Sequence, residues 1–213
     1  LLVVPAQIAL GLLLAVLLAK GVRGTGLLRA LVIIPWAASP LALGVVWSWM
    51  LAPAHGSPAG PPGASTGVLA SPTWALPAVA LVVIWTGAGH TALLLAAGLA
   101  SIPHELVEAA RLDGATARQI FWSIEAPLLR PTLLLVATAA LIAVLNTFDQ
   151  VYALTRGGPS RATGVLAYTI YERAFVNWNM GEAAVIALAM TVMLLLVMGA
   201  QSLCLRGMSA HDG

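Results

Sequence analysis

Side chains that could do chemistry are few in this sequence, and none has the spacing of a catalytic site. The only lysine, Lys20, is followed by glycine, so no Gly-Lys-Ser/Thr loop could cradle a nucleotide phosphate. His90 is the only ionisable residue deep within an apolar segment, and it has no Asp, Glu or Cys at a comparable depth. The other histidines (His55, His104 and His211) fall in separate connections, which argues against a metal site. We therefore expect neither an enzyme nor a bound metal.

Hydrogen-bonding side chains do occur inside two long apolar segments, residues 75–99 and 132–150. Polar groups within a membrane are costly and tend to face a cavity or another helix. An aromatic face beside hydrogen-bonding groups would suit a hydroxyl-rich ligand. For each residue alone, a hydrogen bond between helices is an equally good explanation. The candidates for such a site are Trp85, His90, Thr91, Asn146, Thr147 and Asp149.

The composition places these segments in a membrane. Apolar residues make up 60% of the 213 residues and charged residues 8%, whereas a soluble domain has about 25% charged residues. A net charge of +2 gives no reason to expect a nucleic-acid partner. A helix needs roughly 20 apolar residues to cross the hydrocarbon core. We predict one all-α transmembrane domain over residues 1–213 with five spans. The predicted spans are residues 1–19, 31–51, 75–99, 132–150 and 183–205, with Pro35 and Pro40 as kink sites in the second.

The connections between the spans suggest an orientation. Residues 20–29 are short and basic, residues 52–73 are rich in Pro, Gly and Ser, and residues 150–181 form a polar excursion. Seven of the ten basic residues lie on the side of residues 101–131 and the C-terminus. Because basic residues concentrate in cytoplasmic loops, we expect that side to be cytoplasmic in a bacterial plasma membrane and residues 150–181 to be extracytoplasmic.

Residues 101–131 read as two short amphipathic helices. Pro103 suits a first helical turn, since its missing N–H has no partner there. A helix over residues 104–112 is then broken by Asp113-Gly114, where the glycine adopts a left-handed conformation and the aspartate caps the next helix. We predict that this second helix ends at Pro127. The apolar stripe consists of Leu106, Ala109, Ala110, Ala117, Ile120, Phe121 and Ile124.

This stretch resembles the coupling loop of bacterial ATP-binding-cassette (ABC) importer permeases. The pattern of that family is Glu-Ala-Ala, three residues, Gly, nine residues and Ile-x-Leu-Pro. The one departure here is Ala126 where the family has leucine, which removes a packing contact. An ordinary amphipathic hairpin is the alternative interpretation. The matching residues are Glu108, Ala109, Ala110, Gly114, Ile124 and Pro127.

A second motif covers residues 148–175. It resembles the loop after the fifth span in the first permease subunit of carbohydrate-type importers, the class of the maltose and glycerol-3-phosphate systems. Its Thr-x-Gly-Gly-Pro run predicts a tight turn that cannot continue a helix. A solvated, turn-rich hairpin is the alternative for this loop alone. The matching residues are Phe148, Asp149, Leu154, Thr155, Gly157, Gly158, Pro159, Thr163 and residues 171–175.

The resemblance implies a type I importer permease fold, normally with six spans, so we expect a further span before residue 1. It implies a second permease subunit, a dimer of ATPases that bind ATP and magnesium, and an external solute-binding protein or lipoprotein. This chain would itself need no cofactor. Residues 108–110 would dock on the ATPase, Asp113 and Gly114 would hold the bend, and Phe121 and Ile124 would pack the loop against the span ends. The predicted coupling residues are Glu108, Ala109, Ala110, Asp113, Gly114, Phe121, Ile124 and Pro127.

Three alternatives remain open at this stage. The first is a permease for a non-sugar solute such as an amino acid, a peptide or a phosphate ester, against which the second motif argues. The second is a channel or an ion-coupled carrier, although proton and sodium carriers usually keep a buried carboxylate and the spans have none. The third is an intramembrane enzyme, which would need a partner for His90.

Overall fold

The computed structural model describes residues 2–19, 25–52 and 67–209, and every regular element in these ranges is helical. The predicted all-α architecture is therefore confirmed. A 3-10 turn (Val68–Ala70) and two π-turns (Phe121–Glu125 and Glu172–Val176) accompany the α-helices. The α-helices are α1 (Val3–Ala19), α2 (Thr25–Ala37), α3 (Pro40–Met50), α4 (Ala75–Ala100), α5 (His104–Leu112), α6 (Ala117–Ile120), α7 (Ala126–Leu128), α8 (Arg130–Leu145), α9 (Asp149–Leu154), α10 (Leu166–Tyr171) and α11 (Met180–Ser209).

The long helix α4 is central and packs against two groups of helices. Its first half meets α9 and α10 in what we call the upper core, and its second half meets α1 and α8 in the lower core. The helices approach closely because small residues lie between them: a Cβ on Gly87 would stand 2.6 Å from the Gln7 amide nitrogen. The upper core consists of Val79, Val82, Val151, Leu154 and Tyr168, and the lower core of Ala15, Leu95 and Val136.

The predicted spans correspond to helices of unequal form. Within the described ranges, α4 and the stretch Met180–Cys204 of α11 are each long and apolar enough to cross a membrane alone. Two further candidate spans are bent pairs, α2 with α3 at 99° and the helical stretch Ala117–Leu128 with α8 at 68°. Helix α1 has 17 residues, at the lower end of the length that can cross the hydrocarbon core. By length and composition, the described residues thus hold two spans, or up to four if each bent pair is one span, with α1 as a shorter apolar helix beside the five predicted spans.

The second predicted span is broken at Ser39. Proline at position 40 begins α3, and the residue before a proline is driven out of the helical region, which leaves Ser39 extended at ψ 123°. The Ser39 hydroxyl then accepts a hydrogen bond from the Ala42 N–H. The predicted kink at Pro40 is therefore present as a break, whereas Pro35 lies inside α2 without ending it. The predicted loop over residues 20–29 is also too long, since α2 already begins at Thr25.

The loop between α4 and α8 follows the prediction in its first half. Helix α5 covers residues 104–112, and Gly114 adopts a left-handed φ of +81°. Asp113, however, does not cap the next helix. Thr116 does so, accepting from the Gln119 N–H while the Gln119 side chain accepts from the Thr116 N–H, which is a capping box.

The second half of the loop does not end at Pro127. The π-turn Phe121–Glu125 widens the helix, and Pro127 then falls in the first turn of α7, where a missing N–H is tolerated. The helical path is interrupted only at Leu129, ahead of α8. Most of residues 52–73 and the end of the chain beyond residue 209 lie outside the described residues.

The segment between α8 and α11 contains the predicted tight turn. The Gly158 N–H donates to the Thr155 carbonyl, and the Thr155 and Thr163 hydroxyls lie 2.6 Å apart. Gly157 has a φ of +78°, and any Cβ there would meet the ring of Tyr168 at 2.5 Å. The turn is therefore packed onto the upper core and is not a free solvated hairpin.

Candidate functional site

Two adjoining cavities lie between the upper and lower cores. The first, of about 250 Å³, is bounded by α4, the end of α8, the start of α9 and the break between α2 and α3. The second, of about 190 Å³, continues along α4 towards the lower core. Gln7, Trp36, Gly87 and Ala143 line both. We refer to the two together as the central cavity.

The central cavity gathers five of the six residues predicted for a solute pathway. Asn146, Thr147 and Asp149 line the first part, and His90 and Thr91 line the second. Residues from two separate stretches of the sequence are thus brought to one space, although their role in transport stays a prediction.

Trp85 does not line either part of the central cavity. Trp85 is 40% exposed, and its ring meets that of Trp47 edge to face with 5.6 Å between the centroids. The aromatic wall of the cavity is instead Trp36, whose ring stacks on His90 with 4.8 Å between centroids and 17° between planes. The sequence suggested Trp85 as the aromatic face of the site, but the structure does not place it at the central cavity.

Gln7 is a further cavity residue that sequence reasoning missed. It is only 5% exposed, and its amide donates to the Thr91 hydroxyl at 3.0 Å, which joins α1 to α4. The available signal was a lone amide within an otherwise apolar stretch, because such groups rarely face lipid. Trp36 had the weaker signal of an aromatic residue just before a predicted break.

Several polar side chains that line the cavity already donate hydrogen bonds to backbone carbonyls. The Thr86 hydroxyl donates to Val82 and Val83, each at 3.0 Å, and the Thr147 hydroxyl donates to Ala143 at 3.2 Å. An Asn146 N–H donates to the Ile142 carbonyl at 2.8 Å. The carboxylate of Asp149 lies in the first turn of α9, where the helix dipole favours a negative charge by about 0.3–1 kcal/mol. Among the described residues, no group of three metal-binding side chains occurs.

The coupling residues predicted from the first motif lie together on the loop between α4 and α8. Glu108 and Ala109 are exposed and Ala110 is half-buried, so this part of α5 is free to meet another surface. Phe121 and Ile124 are half-buried, and between them Ile120 is only 5% exposed.

Asp113 ends α5, Gly114 follows with open space around it, and Pro127 is half-buried in α7. Large apolar side chains of the loop that are exposed and were not part of the prediction include Leu112 (88%), Trp122 (65%) and Leu128 (49%).

The segment after α9 holds a third cavity of about 240 Å³, separate from the central one. The charged residues that line it are Arg156, Arg161 and Glu172, and an Arg161 nitrogen lies 4.0 Å from a Glu172 oxygen.

Two tyrosines of α10 have raised pKa values. Burial, and then the nearby Glu172 charge, raise the pKa of Tyr168. A hydrogen bond with Tyr152 raises the pKa of Tyr171. Both tyrosines are therefore neutral at physiological pH.

Comparison with known families identifies the type of protein. The model of the family described as binding-protein-dependent transport system inner membrane component matches residues 7–209. The chain belongs to this family. It is thus a permease of the inner-membrane class, and the resemblance seen in its two motifs is confirmed.

Named relatives of this permease come from sugar and glycerol-phosphate systems. It is 36% identical over 191 residues to the multiple sugar-binding transport system permease protein MsmF of Streptococcus mutans, covering 88% of this chain and 66% of that protein. It is 36% identical over 182 residues to the sn-glycerol-3-phosphate transport system permease protein UgpA of Agrobacterium fabrum, covering 84% and 62%. The permease therefore spans slightly less than two thirds of the length of these relatives.

A solved structure shares the fold of the permease. A bacterial ABC transporter involved in the import of the acidic polysaccharide alginate superposes with a TM-score of 0.71 at 22% identity, covering 93% of this chain and 72% of that one. At this identity the likeness concerns the fold. It supports the type I permease architecture that the coupling-loop pattern implied.

Proposed function

We propose that this permease lines the pathway of an ABC importer that carries a sugar or sugar-like solute into the cell. The observation that carries the proposal is the central cavity, which adjoins the break between α2 and α3 and holds an aromatic wall beside several hydrogen-bonding groups. The name of MsmF, a multiple sugar-binding transport system permease protein, supports a sugar as the solute. The permease itself performs no chemistry, and the hydrolysis of ATP belongs to a partner.

The proposed partners are a second permease subunit, with which this chain forms a heterodimer, a dimer of ATPases, and an external solute-binding protein or lipoprotein. ATP and magnesium would bind to the ATPases, and this chain itself would need no cofactor. The exposed surface of α5 around Glu108 supports docking of the ATPase there. ATP can drive transport only if the docked loop makes different contacts in the two pathway states, so the loop is where the two are coupled.

The proposed orientation puts the loop between α4 and α8, together with the C-terminus, in the cytoplasm. It can be tested with Leu112→Cys, because that side chain is 88% exposed at the end of α5. The variant is made in a Cys204→Ala background, which removes the only natural thiol. A membrane-impermeant maleimide should label inside-out vesicles and spare right-side-out vesicles. Labelling of right-side-out vesicles would reverse the orientation.

The function is tested by purifying the tagged permease from its native membrane in a mild detergent and identifying its partners by mass spectrometry. The expected partners are a second permease with a Glu-Ala-Ala loop and an ATPase with a phosphate-binding loop. The complex is then reconstituted with a solute-binding protein identified among these partners, and ATP-driven sugar uptake is measured. Isolation of the permease alone, or uptake that is independent of ATP, would refute the proposal and favour a channel or a carrier.

A further inference from the structure

We infer that the half of the pathway contributed by this permease selects uncharged, hydroxyl-rich solutes and rejects sugars that carry a phosphate or a carboxylate. The inference rests on the function proposed above and narrows its substrate class. It follows from the charge and the hydrogen-bonding capacity of the central cavity.

The first observation is the sign of the charge in the cavity. Asp149 is the one carboxylate on its described walls, and no arginine or lysine is among the lining residues of either part. The two arginines nearest to Asp149 in the sequence, Arg156 and Arg161, line the separate cavity after α9. An anion that leaves water needs a countercharge or several donors to offset the loss of hydration. On these walls it would instead meet a carboxylate.

The second observation is which hydrogen-bonding groups remain free. Thr86 and Thr147 each donate their only hydroxyl hydrogen to a backbone carbonyl, so towards a solute they can only accept. Asn146 has given one N–H to Ile142, and Gln7 has given one to Thr91, which leaves both amide oxygens as acceptors. The Asp149 carboxylate accepts only.

The donors that remain are the second N–H of each of these two amides, the Gln150 amide, the His90 ring, the Thr91 hydroxyl and the Trp36 indole N–H. The wall thus offers donors and acceptors together, and a hydroxyl group, which both donates and accepts, matches both. A phosphate or carboxylate finds no arginine or lysine among these donors and meets the Asp149 carboxylate beside them. The Trp36 ring stacked on His90 supplies an apolar face for the C–H side of a sugar ring.

Binding to the reconstituted permease and ATPase complex in nanodiscs, without the binding protein, tests the inference. The probes are matched pairs: glycerol and sn-glycerol-3-phosphate, glucose and glucose-6-phosphate, and a panel of di- and trisaccharides with their uronic-acid analogues. We expect the neutral member to bind at least about tenfold more tightly, since like charges brought together oppose binding strongly. Equal or tighter binding of the anionic members would overturn the inference.

Substitutions at Asp149 test the cause of the preference. Asp149→Asn should reduce the neutral-to-anionic affinity ratio by about tenfold or more, while Asp149→Glu should preserve it. Glu172→Gln is the matched control, because it removes a carboxylate that lines the separate cavity. An unchanged ratio in Asp149→Asn, or an equal change in Glu172→Gln, would contradict the role of the cavity charge.

Uptake by the complete importer separates the two proposals. If ATP-driven uptake of any solute occurs but anionic members bind as well as neutral ones, the inference fails and the proposed function stands. If no member of either class binds or is taken up, the proposed function fails, and the inference fails with it.

Discussion

The bend at Gly114 offers a quantitative test of the coupling loop. Gly114 has a φ of +81°, and a Cβ added there would meet nothing within 4 Å. A substitution therefore acts through the backbone alone. A residue other than glycine costs about 1–2 kcal/mol in the left-handed region, and asparagine costs less because its short side chain can hydrogen-bond locally. Valine, which is branched at Cβ, is disfavoured most strongly there.

We expect Gly114→Val to lower the ratio of bent to unbent loop by about 5- to 30-fold, which is the factor that 1–2 kcal/mol represents. If only the bent loop docks, the apparent affinity of the ATPase for the permease falls with the bent population, by up to that factor. The affinity is measured by titrating the purified ATPase onto nanodiscs that contain both permease subunits. Gly114→Asn should remain close to the unmodified protein.

A second glycine gives a control for the substitution itself. Gly199 also has open space around its Cβ position, but it lies in α11 without a positive φ. Gly199→Val should leave ATPase binding unchanged, and all three variants should reach the membrane in equal amounts. If Gly114→Val and Gly114→Asn bind the ATPase equally well, the left-handed bend is not required for docking.

Three further predictions concern the loop and the cavity. Glu108→Lys should abolish ATP-driven uptake without affecting membrane insertion. Wild-type uptake by this variant would contradict a docking role for Glu108, and Glu172→Lys, which lies outside the loop between α4 and α8, serves as the control. Thr116→Ala should weaken the capping box by about 1 kcal/mol and speed hydrogen exchange in α6, whereas Thr116→Ser should not. Thr91→Val should leave the buried Gln7 amide without its hydrogen-bond partner, which costs about 1–3 kcal/mol and should lower the melting temperature. Adding Gln7→Met to this variant should restore part of the loss. An unchanged melting temperature in Thr91→Val would show that the 3.0 Å hydrogen bond does not stabilise the fold.

Local signals in the sequence were sufficient to predict α5 and the tight turn after α9. Pro103 and Gly114 bracket α5 with the residue types that begin and end helices, so its bounds over residues 104–112 could be predicted. The sequence analysis predicted Asp113 as the cap of the next helix, which was wrong. Thr116 caps it, because Thr116 has a glutamine three residues later to complete a reciprocal pair. The predicted helix end at Pro127 was wrong because hydrophobic periodicity does not reveal the π-turn that precedes this residue.

The central cavity could be predicted only in part, because packing between distant helices decides which polar groups share a space. The sequence supplied His90, Thr91, Asn146, Thr147 and Asp149 as polar groups in apolar helices. It contained nothing to orient Trp85 away from the cavity, since that depends on the side of α4 that Trp47 covers. The 99° turn at Ser39, which brings Trp36 over His90, is likewise a property of the packed helices.

The break at Ser39 also divides the neighbours of one span between two parts of the molecule. Helix α3 rests chiefly on α9, where Gly44 admits the methyl group of Ala153, and α2 rests chiefly on α4, where Gly89 admits the carbonyl of Val32. The two halves still share α4, because Trp47 of α3 meets Trp85 of α4 edge to face. A hybrid permease joined at Ser39 would therefore keep the α3–α9 contact within one parent but would divide the α2–α4 contact between the two parents.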